Sequence, residues 1–278
     1  MNIRFMTMTD VGAGMRLKDL AGWNQTSADW ERFLSASPDG CFVAEAEGRV
    51  AGTVTTIVYQ GRFAWIGMVL VDPEFRGRGI GTRLLNRAIE YLDSRSIPTL
   101  KLDATPQGKP IYEKLGFASE YEIERWTLDR PARGTTAQTL RSPTLDDLLE
   151  LDREVFGADR SALLRTLVSA APDFTLAVRE GEALAGYAFG RRGSVADHLG
   201  PWTAKQESAA CELLEEFLAR SSRDRIFVDC LKSNPFAKTL LRAHGFEFSR
   251  PLTRMYRGPN DHPGRPEWLC SVLGPEFG

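Results

Sequence analysis

The apolar positions of this chain follow two rhythms, one helical and one of short runs. Leu84, Leu85, Ala88, Ile89 and Leu92 recur at i, i+1, i+4, i+5 and i+8, while Arg83, Asn86, Arg87, Glu90 and Asp93 fill the other face. That spacing predicts an amphipathic helix, starting near Gly81 and packed on a sheet. Ile97-Pro98 ends it, and Thr99–Asp103 reads as the next strand. Upstream, Ala64–Val71 is an apolar run of strand length, followed by a turn and a loop with glycines at 77, 79 and 81. Phe42–Gly52 reads as an apolar strand, a Glu-Gly turn and a second apolar strand ending in Ala-Gly.

The same phrases occur twice. Thr175–Gly186 repeats the strand–turn–strand with one extra residue, and Leu115-Gly116-Phe117 is echoed by His244-Gly245-Phe246. Between these anchors, the helix of Leu84–Leu92 corresponds to Ala209–Phe217, and strand Leu100–Asp103 to Ile226–Asp229. A polar stretch with Pro and Gly, without periodicity, separates the copies. The expected organisation is therefore one α/β half over residues 1–130, a linker over 131–139 and a second half over 140–278. Aligning Asp72 with Asp197 without gaps puts Pro201–Gln206 opposite Arg76–Gly81, and the Leu115/His244 anchor puts Leu241 opposite Tyr112. On that alignment the second copy keeps the scaffold and loses the glycines and the tyrosine.

Charge narrows the function. With 35 Lys plus Arg against 37 Asp plus Glu, the net charge of -2 gives no basic excess for nucleic acid. No apolar run is long enough to cross a bilayer, and Met1–Asp10 lacks a secretory apolar core. Cys41, Cys211, Cys230 and Cys270 show no C-x-x-C spacing and read as reduced core cysteines, so a cytoplasmic setting is expected. The three histidines are spread singly, and no metal site is expected.

The glycine loop carries the chemistry. Glycines there let successive N–H groups point inward, and the unpaired amides and positive dipole end of the following helix face the same place. The product is a cradle for a pyrophosphate. A Walker A loop would need a Gly-Lys-Ser/Thr ending, which is absent, and a G-x-G-x-x-G fingerprint fails because Thr82 stands where its last glycine belongs. Arg76, Gly79 and Gly81 instead fill R/Q-x-x-G-x-G/A, and Gly108–Phe117 supplies a short segment with a tyrosine closing on Leu-Gly-Phe. In these two motifs the chain resembles the GNAT acetyltransferase superfamily. As a whole it resembles a bacterial tandem-GNAT group with a degenerate second half, in which Gly200-Pro201-Trp202 and Arg254–Gly258 recur.

The resemblance implies an α/β (α+β) fold of two tandem GNAT-like domains, each a mixed twisted sheet flanked by helices. It implies an N-acetyltransferase that moves an acetyl group from acetyl-CoA to the amine of a small-molecule or amino-acid-like acceptor, in a ternary complex. The main chain of Val69, Leu70 and Val71 would bind the pantetheine arm, with a backbone N–H there on the thioester oxygen. The amides of Arg76, Gly77, Arg78, Gly79, Ile80, Gly81 and Thr82 would take the pyrophosphate. The side chains of Arg76 and Arg78 either add charge to the phosphates or are solvated.

Two proton problems follow. An alkyl amine has a pKa near about 10.4 and is protonated at neutral pH, while the leaving thiolate needs a proton or a hydrogen bond. Tyr112 matches the superfamily tyrosine that serves the thiolate. The glutamate that many members carry on the preceding strand is missing from Ala64–Val71. That leaves the base unassigned: Asp103 is a candidate or else a turn residue at the strand end, and water relayed by a carboxylate of the second half, such as Asp229, is also open. Trp23, Asn24 and Gln25 lie where the superfamily lines its acceptor side; Trp23 and Trp30 read equally well as core, with Thr26 or Ser27 capping a helix. One cofactor per chain is expected, held by the first half. Two other readings stay open, an acetyl-CoA-binding sensor without turnover and an acetyltransferase of protein N-termini or lysines. Residues Gly258–Gly278 either wrap the second half or mediate association.

Overall fold

The computed structural model describes residues 1–132 and 144–278, so residues 133–139 of the expected linker lie outside the described residues. The first half runs β1 (Asn2–Phe5), α1 (Val11–Leu20), α2 (Ser27–Ala36), β2 (Phe42–Ala46), β3 (Arg49–Tyr59), β4 (Phe63–Val71), α3 (Ile80–Ser94), β5 (Leu100–Ala104), α4 (Lys109–Lys114) and β6 (Ala118–Asp129). The second runs α5 (Leu145–Phe156), α6 (Ser161–Ala170), β7 (Leu176–Glu180), β8 (Ala183–Arg192), β9 (Asp197–Ala204), α7 (Glu207–Arg220), β10 (Arg225–Leu231), α8 (Ala237–Ala243) and β11 (Glu247–Arg257), followed by β12 (Leu269–Ser271).

Helix α3 buries Ile80, Leu84, Leu85, Ala88, Ile89 and Leu92, the apolar stripe of the sequence, against Phe42, Val54 and Ile66 of the sheet. On the opposite side Trp30 and Phe33 of α2 pack with Trp65 and Phe277. Trp30 is thus core, and α2 is held at its start by Asp29, whose carboxylate accepts from the N–H (2.8 Å) and hydroxyl (3.0 Å) of Thr26.

All strands join one mixed sheet in the order β1-β2-β3-β4-β5-β11-β6-β10-β12-β9-β8-β7. The repeat predicts two sheets that each end in their own last strand, yet the last strands are exchanged. Strand β11 lies between β5 and β6, pairing Thr253–Arg257 with Ala104–Leu100, and β6 lies between β11 and β10. Main-chain hydrogen bonds therefore run unbroken from one half into the other.

Two parallel pairs interrupt the antiparallel pattern. Strands β4 and β5 pair only at Ala64↔Leu100 and Trp65↔Lys101, then diverge. A bulge helps to separate them: the register against β3 shifts between Thr53 and Thr55, and Met68 has a left-handed φ of 51°. Its carbonyl accepts from Thr53 Oγ1 at 2.8 Å. In the second half β9 and β10 pair at Ile226↔Asp197, Phe227↔His198 and Val228↔Leu199 before they part. There β12 fills the gap, with Ser271 opposite both Cys230 and Trp202 and Leu269 opposite Thr203.

The structure also corrects the internal alignment. The N–H of Asp72 donates to Ala51 O, and the N–H of Lys205 donates to Ala185 O, each at 2.9 Å. Asp72 therefore corresponds to Lys205 and not to Asp197, and Pro201–Ala204 belong to strand β9. An ungapped alignment failed because the first half carries a loop that the second lacks. Residues 72–79 separate β4 from α3, whereas only Lys205 and Gln206 separate β9 from α7.

Candidate active site

The loop between β4 and α3 is built on its own side chains. Asp72 accepts from the Glu74 N–H (3.0 Å) and is held by Arg16 (2.6 Å), which sets the short 3-10 turn Pro73–Phe75. The chain then turns through Gly77 and Gly79, whose φ values of 77° and 76° lie in the left-handed region that side chains with a Cβ avoid. Among the described residues, no acceptor takes the backbone N–H groups from Gly77 to Thr82. The amides of this segment are thus left for water or a ligand, and those of Ile80 to Thr82 open a 15-residue helix. The arginine side chains are engaged locally. Arg78 pairs with Glu47 at 2.7 Å and stacks on Phe75, and Arg76 Nε reaches the Val71 carbonyl at 3.3 Å.

Where β4 and β5 diverge, a cavity opens. Val69 and Asp103 line it from the two strands, Tyr112 from α4, and Trp23 and Gln25 from the α1–α2 connection. Residues that are far apart in the sequence, and that the motifs single out separately, thus share one wall. Tyr112 is half-buried with its ring edge-on to Phe117, 6.1 Å between centroids. Burial pushes its phenol up to about 12, so it stays protonated at neutral pH, and its hydroxyl has no hydrogen-bond partner among the described residues.

Asn24 is a correction. It does not line the cavity: its Nδ2 donates to Ala196 O (3.0 Å), and its Oδ1 accepts from the N–H groups of Val195 and Ala196 (2.9 Å each). The amide is spent on fastening the α1–α2 connection to the β8–β9 turn of the second half.

The carboxylates differ in freedom. Asp103 faces the cavity, but both of its oxygens are held at 2.9 Å by Arg254 of β11, whose third nitrogen donates to Tyr121 Oη at 2.7 Å. Asp229 stands outside the cavity lining. Arg125 grips it at 2.8 and 2.6 Å and His198 Nε2 lies 3.2 Å away. These neighbours, overriding the cost of burial, hold its carboxyl far below the usual range. It is committed to structure.

Three charged lining residues carry no motif: Arg125 of β6, Arg250 of β11 and Glu276 of the last segment. Glu276 is buried and pairs through Oε1 with Arg191, while its Oε2 has no hydrogen-bond partner among the described residues. The segment that carries it first fills the β9–β10 gap as β12, then crosses to the first half. There Trp65 Nε1 donates to Pro275 O (2.9 Å) and Tyr59 Oη to Phe277 O (2.7 Å). Gly67 lies against this segment so closely that a Cβ there would stand 2.8 Å from the Glu276 carbonyl. Of the two roles open for Gly258–Gly278, wrapping the second half is realised by β12.

The histidines also find company. Cys211, Glu215 and His244, on α7 and at the end of α8, bring three donor atoms within 4.8 Å of one another. No spacing in the sequence joins them.

Residues 15–117 match the model of the acetyltransferase (GNAT) family, and residues 148–269 match that of the acetyltransferase (GNAT) domain. The chain is 26% identical over 243 residues to holothin acyltransferase of a Pseudoalteromonas species, covering 85% of this chain and 81% of that one. It is 26% identical over 210 residues to the uncharacterized N-acetyltransferase YitH of Bacillus subtilis, covering 74% and 73%. A putative acetyltransferase from Pyrococcus horikoshii shares the fold across 100% of this chain and 95% of its own, with a TM-score of 0.81 at 23% identity. A GCN5-related N-acetyltransferase from Sphaerobacter thermophilus does so across 95% and 96%, with a TM-score of 0.66 at 18% identity. No helix among the described residues is long and apolar enough to cross a membrane.

Proposed function

The chain belongs to the GNAT acetyltransferase superfamily, with one such domain in each half, and from that premise we propose that its first half alone transfers an acetyl group from acetyl-CoA to the amine of a small acceptor. The observation that carries this reading is the meeting of the splayed β4–β5 cleft and an unpartnered phenol at one cavity, with the free-amide loop following on the same strand β4.

The residues fit the cofactor. Gly77 to Thr82 offer unpaired amides to its pyrophosphate, and the parting strands expose the edge of Val69–Val71 to its arm. Acetyl-CoA supplies an acyl group activated as a thioester. Tyr112 holds its proton at the phenol oxygen and gives it, or a hydrogen bond, to the departing sulfur. As the N–C bond forms and the C–S bond breaks, two protons leave the ammonium form of the acceptor. One reaches the sulfur through Tyr112 and the other passes to solvent. Asp103, locked by Arg254, acts by charge and position more than as a proton acceptor. Trp23 and Gln25 line the acceptor side.

Thiol release from acetyl-CoA, measured with a panel of small amines, tests the reading. Amine-dependent release is expected, with calorimetry giving one coenzyme A per chain. Tight binding without release on any amine would make the protein a sensor, and two coenzymes per chain would overturn the assignment to one half.

A further inference from the structure

The charges around the cavity do not close. Asp103 is matched by Arg254, Asp229 by Arg125 and Glu276 by Arg191. Arg250 is left over: among the described residues it makes no hydrogen bond and no ion pair, yet it lines the cavity and is only half-exposed. Its cross-strand partner in the β6–β11 register is Arg125, another cavity residue. Like charges placed directly opposite each other are unfavourable, and a guanidinium cannot escape by losing its proton. Burial and the Arg125 charge push Arg250 toward the neutral form and outweigh the pull of Asp229 and Glu276, whose carboxylates are tied to other arginines, so an anion directly beside it is favourable.

Elsewhere in the lining the unmet needs are reversed. Gln25 Oε1 and Glu276 Oε2 are buried acceptors without a donor, and both residues line the same cavity. An unpaired buried acceptor is costly, and the groups that satisfy it are N–H or O–H.

Resting on the acetyltransferase reading above, we infer that the acceptor is an amino acid in the broad sense, with its carboxylate on Arg250 and Arg125 and its amine on Gln25 Oε1 and Glu276 Oε2. The reactive form of such a molecule, with the amine neutral and the carboxylate ionised, carries one negative charge. One unmatched cation awaits it. A phosphonate or phosphate in the same place would bring up to two negative charges and leave one uncompensated. Glu276 here is a positioning residue: with Oε1 pinned by Arg191, its free oxygen orients the nitrogen and relays the first proton it loses toward water.

The test uses the full chain with the protein amino acids, β-alanine and 4-aminobutyrate. Each is paired with its carboxamide, and the last two also with the matching aminoalkylphosphonate. Thiol release and calorimetry are both read. At least one carboxylate acceptor should exceed its carboxamide by about tenfold or more in kcat/KM, the size expected of a hydrogen bond to a charged group. Arg250→Gln should collapse that ratio to within about threefold, and Arg250→Lys should restore part of it. Glu276→Gln should raise KM for the amine more than it raises the Kd of coenzyme A. Thermal unfolding of each variant separates these effects from lost structure. Carboxamides or phosphonates that serve as well as carboxylates overturn the inference while leaving the acetyltransferase reading intact. Absence of release from every amine removes that reading instead. In that case, calorimetric binding of an amino acid that is lost in Arg250→Gln sustains the pocket assignment, and binding blind to the carboxylate, or none, overturns it.

Discussion

The β4–β5 and β9–β10 clefts begin from the same plan and end in opposite states. Each starts as a short parallel pair that parts, and each is covered by a helix with the same apolar stripe, α3 or α7. In the first half the parting strands line a cavity, and an eight-residue loop, its amides unpaired from Gly77 onward, precedes the helix. In the second half the connection shrinks to two residues, and the chain's own β12 lies in the gap, taking hydrogen bonds that the first cleft leaves open. Ala204 N–H donates to Trp268 O (2.9 Å) and Val272 N–H to Asp229 O (3.0 Å). The difference teaches that a splayed parallel pair demands an occupant. Unpaired strand edges are costly when buried; one copy leaves its edge open at the cavity and the other satisfies it with protein.

The comparison can be broken most forcefully at β12. Ser271→Pro removes a ladder N–H from a fully buried strand and should cost roughly 3 kcal/mol of stability, read from urea unfolding. Coenzyme stoichiometry should stay at one; a second coenzyme bound to this variant would mean that the second cleft is competent and merely plugged. Tyr112→Phe should lower kcat on the order of 100-fold while the Kd of coenzyme A changes less than about twofold. Equal loss of both would make the ring a binding surface and not a proton donor. Gly79→Val forces a β-branched residue into a φ of 76° and should weaken coenzyme binding by about 1–2 kcal/mol from strain alone, measured by calorimetry. Unchanged binding would mean that the loop is no cradle. The smallest effect is in the pH profile. A phenol raised to about 12 stays a donor above pH 10, so kcat should not fall by half until well past the ordinary tyrosine value. A half-fall centred near pH 10 that disappears in Tyr112→Phe would place the phenol at its ordinary value.

Much of the first cleft was legible because its signals are local. A helix that must cover a sheet shows its stripe at 3.6-residue spacing, and a backbone that must turn left-handed shows glycine, so α3 and the loop at Gly77 and Gly79 are written in adjacent residues. Tyr112 came from motif position, Trp23 and Gln25 from the stretch that the resemblance puts on the acceptor side, and all three line the cavity. Asn24 looked equivalent to its neighbours, and only the β8–β9 turn folding over it decided that its amide is structural.

What tertiary structure alone decided is the charged remainder of the cavity lining. Strand exchange places Arg125 and Arg250 side by side across β6 and β11, and the passage of the last segment back to Gly67 delivers Glu276. Strand pairing is made by main-chain groups that every residue carries, so the sequence holds no mark of which strand lies beside which. The sequence by itself determined two copies of one fold and a glycine loop before the first copy's helix. Which distant charges would face each other across its cavity was settled by the order in which those strands joined one sheet.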